Sequence, residues 1–308
     1  MTMLKIRDVS LYVKVMGRGY PLLLMHGGPG LDHTTLETLE PLAKRFTLIF
    51  YDHRANGRST GATETMTFSN LVADAEALRE SLGFDRWAVA GHSFGGHVAL
   101  EYALRHPDRI SALLLLDTAA DAYWYQRSAP AILEKRGWSK KAVGAAKRFF
   151  NGELTLPEIR PAVMRFFFAY FYKLRLRDVP GAIAAAFKLK MRPEAIVQGF
   201  SVVLKRWSVM DRLPEINVPT LVLAGREDFL FPPEQQAMLA ARIPRARLEI
   251  IEHAGHSPHV EQASRVIPII ARFVAAAATA PASAVRPHRG WRREIKRTAL
   301  LDRAIRRR

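Results

Sequence analysis

The segment from Trp87 to Arg105 constrains the chain most tightly, because it permits little besides one local geometry. Trp87 to Ala90 is a short apolar run that reads as a strand, Gly96 to Arg105 reads as a helix, and Gly91-His92-Ser93-Phe94-Gly95 joins them with no room for a loop. A serine on so sharp a strand-to-helix turn is strained, and glycines flank it because side chains there would collide with neighbouring backbone. The pattern is that of a nucleophile elbow, with a hydroxyl presented at the end of a strand. Such a hydroxyl is chemically useful only if groups elsewhere in the chain activate it.

Around the elbow, strands and helices alternate. Leu4 to Val9 and Ser10 to Val15 read as an amphipathic hairpin, and Pro21 to Met25, Thr47 to Tyr51, Ile110 to Leu116, Pro219 to Ala224 and Arg247 to Ile251 as buried strands. Phe68 to Leu82, capped by Thr67 and stopped by Gly83, is an expected helix, as are Glu234 to Arg242 and Val260 to Ala277. Strands separated by helices predict an α/β fold with a doubly wound, mostly parallel sheet. Residues 121–210 break the alternation with helical segments and aromatics and no strand series, which predicts an inserted helical lid on a core formed by residues 1–120 and 211–280. Ala275 to Ala284 reads as a linker, and residues 281–308 as a basic, disordered tail.

Charge follows this division. The formal net charge is +17, yet residues 121–210 hold 17 Lys/Arg against 6 Asp/Glu, and residues 281–308 hold 10 against 2. The core is close to neutral. The tail interleaves Trp291, Ile295, Leu300, Leu301 and Ile305 with arginines, so peripheral contact with a membrane surface is one reading of it. No nucleic-acid-binding motif accompanies the charge, and nucleic acid is not an expected partner. The chain has no cysteine, which removes disulfides, thiol catalysis and thiolate metal sites. Charged residues within Met1 to Asp8 do not fit a signal peptide, and no apolar run reaches the ~18 residues of a membrane span. The expected location is cytoplasmic.

A serine hydroxyl needs a base to take its proton, and the base needs an acid to orient it. Asp228 follows the strand Pro219 to Ala224, and His256 follows the strand Arg247 to Ile251, in His253-Ala254-Gly255-His256-Ser257-Pro258. Both therefore leave carboxyl ends of strands, where parallel sheets carry their sites. Asp117, which also follows a buried strand, is the alternative acid. An oxyanion needs backbone N–H donors. Phe94, next to the serine, is one, and Gly28 in His26-Gly27-Gly28-Pro29-Gly30 is favoured over Gly27 as the second.

These residues resemble the α/β-hydrolases and, within them, the proline iminopeptidase branch, whose hallmark is the HGGPG loop that His26 to Gly30 match in full. Residues Asp52 to Ser59 are similar to the Asp-Gln-Arg-Gly-x-Gly-x-Ser segment of that branch, departing at His53 and Ala55. The resemblance implies Ser93 as nucleophile, His256 as general base and acid, and Asp228 as its orienter in a serine hydrolase that cleaves an ester, lactone or amide bond through an acyl-enzyme, with release of N-terminal proline as the branch's reaction, on a small-molecule or short-peptide substrate and with no cofactor. Two departures point beyond peptides. The elbow reads Gly-His-Ser-Phe-Gly, the wording of esterase-type relatives, where the branch has Gly-Gly-Ser-Trp-Gly. The branch also uses lid carboxylates to pair a substrate's α-ammonium, and residues 121–210 have no counterpart of its Glu-Asn-His-Tyr-Phe segment. A carboxylesterase or lactonase acting on an apolar or anionic compound is the alternative activity, and a non-catalytic binding protein on the same fold is the other.

Asp52 is expected to be structural, partnered by Arg54, Asn56 and Arg58. His92, His253 and His259 lie near the catalytic residues in sequence without an H-E-x-x-H helix, so no metal site is expected. Phe166 to Tyr172 is expected either to line an acyl pocket or to form lid core. The basic lid is expected to be solvated or to steer anions.

Overall fold

The computed structural model describes residues 2–173 and 188–278. Eight strands form one sheet: β1 (Thr2–Ile6), β2 (Val9–Gly17), β3 (Tyr20–Met25), β4 (Phe46–Tyr51), β5 (Trp87–His92), β6 (Ile110–Leu116), β7 (Thr220–Gly225) and β8 (Ala246–Ile251). Their spatial order is β1-β2-β4-β3-β5-β6-β7-β8. The first two strands pair antiparallel with their neighbours and the other six run parallel. The expected hairpin is present, but its turn falls at Arg7 and Asp8, so Val9 opens β2; Arg7 takes a φ of +53° to make that turn.

Period-2 alternation explains why the central strands read as unbroken apolar runs. Leu23, Met25, Val89, Leu113 and Leu115 face one core, while Leu22, Leu24, Ala88, Ala90, Leu114 and Leu116 face the other. A sheet covered on both faces needs apolar residues at every position. Against the first face pack α1 (Phe68–Ser81) and α2 (Phe94–Arg105), and against the second a run of 3-10 turns, His33–Lys44. That run, capped by Asp32, places Leu36, Leu39 and Leu42 in the core. Its three-residue spacing and internal Pro41 give it no α-helical periodicity in the sequence.

Between β6 and β7 the described residues form helices: α3 (Ala129–Lys135), α4 (Lys140–Phe150), α5 (Leu156–Phe166) and α6 (Pro193–Gln198), joined by irregular turns. After β7 come α7 (Pro233–Arg242), α8 (Pro258–Glu261) and α9 (Ala263–Ala278). The single helix expected over Val260 to Ala277 is thus divided at Gln262, whose side-chain amide donates to the His253 carbonyl (3.0 Å). Helix α9 also takes in the start of the expected linker; the rest of that linker and the expected tail lie outside the described residues. No helix among the described residues is long and apolar enough to cross a membrane.

Candidate active site

Glycine chemistry builds the turn after β5. A Cβ on Gly91 would sit 2.3 Å from the Gly95 carbonyl oxygen, one on Gly95 2.1 Å from that of Met25, and one on Gly96 2.4 Å from the Thr118 hydroxyl. Strand β5 and helix α2 therefore close on each other only if all three positions lack side chains. The cost falls on Ser93, held at φ +51° and ψ −117°, outside the regions an L-residue prefers. Hydrogen bonds to the neighbouring strand and its loop pin it: its N–H donates to Leu116 O (3.0 Å), and its carbonyl accepts from the Thr118 hydroxyl (2.8 Å). Helix α2 starts at Phe94, two residues earlier than its sequence suggests, so the Phe94 amide is a first-turn N–H with no acceptor inside the helix.

Strands β7 and β8 deliver the next two groups. Gly225 ends β7, and a Cβ there would lie 1.9 Å from the Gly255 carbonyl oxygen, so the two loops touch only because Gly225 is bare. Asp228 is fully buried; its Oδ1 accepts from Leu230 N–H (2.8 Å), and its Oδ2 lies 2.9 Å from His256 Nδ1. The backbone of His256 is held from both sides, its N–H donating to Tyr170 O (2.8 Å) and its carbonyl accepting from His92 Nε2 (2.8 Å). With Nδ1–H on Asp228, the tautomer leaves the lone pair on Nε2.

The ring of His256 is walled by His92 at 5.0 Å, Tyr170 at 5.4 Å and Phe231 at 5.6 Å between centroids. Burial, with the charges of His259 and His256, holds His92 well below the usual imidazole range. Burial likewise pushes His259 down to about 4 and His97 to about 3. All three are neutral at neutral pH. His253 instead packs on Tyr172, 5.3 Å away.

The glycine loop after β3 is braced by the loop after β4. Gly30 N–H donates to the Asn56 side chain, and His53 N–H donates to His26 Nε2 (3.1 Å). Gly28 needs its φ of +65°, whereas at Gly27 the constraint is proximity, a Cβ falling 2.5 Å from His92 Nδ1. Of the partners expected for Asp52, only Arg58 bonds to it, through its backbone N–H (2.8 Å). Arg54 turns to Asp74 and Asp8, and His33 supplies Asp52 with the donors that the sequence did not suggest.

Among the described residues, two groups of side chains have metal-ligand proximity, Asp32 with His33 and Asp52, and Asp117 with Asp228 and His256. In the first group, Asp32 and Asp52 already accept hydrogen bonds from Thr34, Lys190, His33 and Arg58. Phe166 to Tyr172 divides its roles. Phe166 is buried against Phe149 and Phe150, Phe168 is exposed, and Tyr170 covers His256. Tyr170 and Phe231 carry no sequence signal for such a role, since an aromatic in a helical or loop segment reads first as core.

The alpha/beta hydrolase fold family matches residues 20–263. The chain belongs to the α/β-hydrolase family. The hydrolase is 28% identical over 285 residues to a proline iminopeptidase of Saccharolobus solfataricus, covering 88% of this chain and 90% of that one. Among solved structures it resembles the proline iminopeptidase of Mycobacterium smegmatis (TM-score 0.71, 25% identity, 90% of this chain and 98% of the other). It also resembles a thermophilic esterase from Thermogutta terrifontis (TM-score 0.69, 27% identity, 90% and 98%). The fold expected from the sequence and the resemblance to the proline iminopeptidase branch both hold for this hydrolase.

Proposed function

We propose that the chain is a serine hydrolase that cleaves an ester or lactone through an acyl-enzyme. The observation that carries this reading is the 2.9 Å contact between His256 Nδ1 and buried Asp228 at the same sheet edge as strained Ser93. Ser93 Oγ attacks the carbonyl while His256 Nε2 takes its proton, and the N–H groups of Phe94 and Gly28 receive the oxyanion. His256 then protonates the leaving group and later activates water for deacylation. Asp228 holds the ring and stabilises its charged form. In this reading residues 121–210 are the lid and Tyr170 is the part of it that covers the base.

The preference for an ester or lactone over a peptide with a free ammonium rests on the carboxylates within residues 121–210. Among the described residues there, Asp121 accepts from Tyr123 N–H (3.0 Å), Glu158 is taken by Thr155 and Arg148, and Glu134, Glu153 and Glu194 are exposed. None supports pairing with a substrate ammonium that leaves water. Release of N-terminal proline is the second reading, favoured by the similarity to the two iminopeptidases. Turnover of a nitrophenyl ester series compared with prolyl naphthylamide separates the two, and cleavage of the amide alone would retire the ester reading. A fluorophosphonate probe is expected to label the wild type and not Ser93→Ala; equal labelling of both would remove Ser93 from its role.

A further inference from the structure

Asp117 is a fully buried carboxyl to which the proposed mechanism gives no task. It directly follows β6, in a left-handed conformation with φ +43°, and its N–H continues the sheet by donating to Leu223 O (2.9 Å). Its Oδ1 accepts from Gly225 N–H (2.8 Å), whereas its Oδ2 is buried without a hydrogen-bond partner. One oxygen of Asp117, one of Asp228 and a ring nitrogen of His256 all lie within 4.8 Å of one another. Two carboxylates and one imidazole packed this closely cannot both carry a charge, so one carboxyl keeps a proton. The donor sets say which: Asp228 receives two donors, from Leu230 and His256, and Asp117 one.

We propose that Asp117 is a positioning residue that stands behind Asp228 as a neutral carboxylic acid and turns its Oδ2–H toward the Asp228 carboxylate. This rests on the reading of Ser93, His256 and Asp228 given above. Burial, followed by the charge of Asp228, drives the Asp117 carboxyl well above the ordinary carboxylate range, in keeping with that assignment. Glu261 faces the same group, itself raised by burial while accepting from Gly255 and Tyr172 N–H (2.7 Å each). Around His256 the neighbouring titratable groups are His92, His97 and His259, kept neutral by burial, and Tyr170, whose phenol burial pushes up.

A donor aimed at Asp228 draws charge away from the oxygen that stabilises imidazolium. The pull that Asp228 exerts on a proton at His256 is thereby weaker than that of a lone carboxylate. An ionised Asp117 would do the reverse, adding a second negative charge that favours imidazolium and removes the base. The sequence places Asp117 as a rival to Asp228; the donor sets make it a partner.

The pH profile of kcat/KM on a nitrophenyl ester tests this with the full chain. Asp117→Asn keeps a donor toward Asp228 and an acceptor for Gly225, so its acid limb should coincide with the wild type and its kcat/KM lie within about threefold. Asp117→Ala should move the acid limb up by about one pH unit. If both variants leave the limb in place, Asp117 only packs; if Asp117→Asn loses activity by about 10^4-fold, as expected of an orienting carboxylate, it is the ionised acid instead. Either result overturns the proposal while labelling of Ser93 still stands, so its failure is distinct from failure of the serine mechanism. Should Asp117→Ala not fold, infrared difference spectra decide. The wild type at neutral pH should show a protonated-carboxyl C=O band that is missing in Asp117→Asn, and no such band would sink the idea.

Discussion

Individual residues at this site are placed by what they exclude as much as by what they bond. Gly91, Gly95, Gly96 and Gly225 each stand where a methyl group would enter another backbone or side chain, and Ser93 accepts a strained conformation as a result. His97 shows the converse case, a polar side chain in an apolar nest. It is buried among Trp207 (4.6 Å), Phe231 (6.0 Å), Tyr125 (6.1 Å) and Phe94 (6.4 Å), and neither ring nitrogen has a partner. Its pKa of about 3 in the folded chain lies below the unfolded value of 6.5, so between those pH values the unfolded chain binds the extra proton. The stability linked to His97 is therefore present above pH 6.5 and drains away as pH falls toward 3. His97→Phe, which keeps the aromatic contacts, should flatten the fall of unfolding free energy below pH 6.5 by up to about 1.4 kcal/mol per pH unit. Denaturant titrations of both proteins at pH 7.5, 6.5, 5.5 and 4.5 measure it; parallel curves would mean that His97 is protonated in the fold.

At the scale of elements, the loop after β4 is a strut between the sheet and the glycine loop. Arg54, almost wholly buried, bonds Asp74 of α1 through Nε (2.6 Å) and an outer nitrogen (2.7 Å), and its other anion, Asp8, is exposed. Removing Asp74 leaves a buried guanidinium with a solvated partner, so Asp74→Ala should cost about 3–5 kcal/mol by urea unfolding. Thr67→Ala at the cap of the same helix should cost only about 1 kcal/mol, since it frees one N–H near water. Equal losses would show that the Arg54–Asp74 pair adds nothing beyond the helix itself. Asn56 in this loop also braces Gly30, so Asp74→Ala is expected to lower kcat as well. Strands, the elbow and the order Ser93, Asp228, His256 were legible because each is written in neighbouring residues: alternation, glycine spacing, a strand followed by its loop. The bracing was not. Arg54 meeting Asp74, His33 meeting Asp52 and Tyr170 meeting His256 join residues 19 to 86 positions apart that share no local pattern, and the 3-10 run His33–Lys44 obeys neither period.

Across the whole molecule, charge and chemistry are divided between segments. Residues 121–210 carry 17 Lys/Arg against 6 Asp/Glu, and the sheet and its helices are near neutral, so the potential around the proposed lid is positive. Lys140, Lys141, Lys147, Arg160 and Arg165 are exposed on α4 and α5. Cations of one sign beside a site raise the local concentration of anionic substrate and speed encounter, an effect that salt screens over about 10 Å at 0.1 M. An anionic nitrophenyl ester should therefore lose kcat/KM, by about tenfold, as salt rises from about 20 to about 500 mM, while a neutral ester of the same acyl length holds. Charge reversal at Lys140 and Arg160 should flatten that salt response and leave turnover of the neutral ester unchanged, because neither residue touches Ser93, Asp228 or His256 in the proposed mechanism. If the two esters respond to salt alike, the cations are solvated surface, and the preference for neutral-ended or anionic substrates must come from groups closer to Ser93.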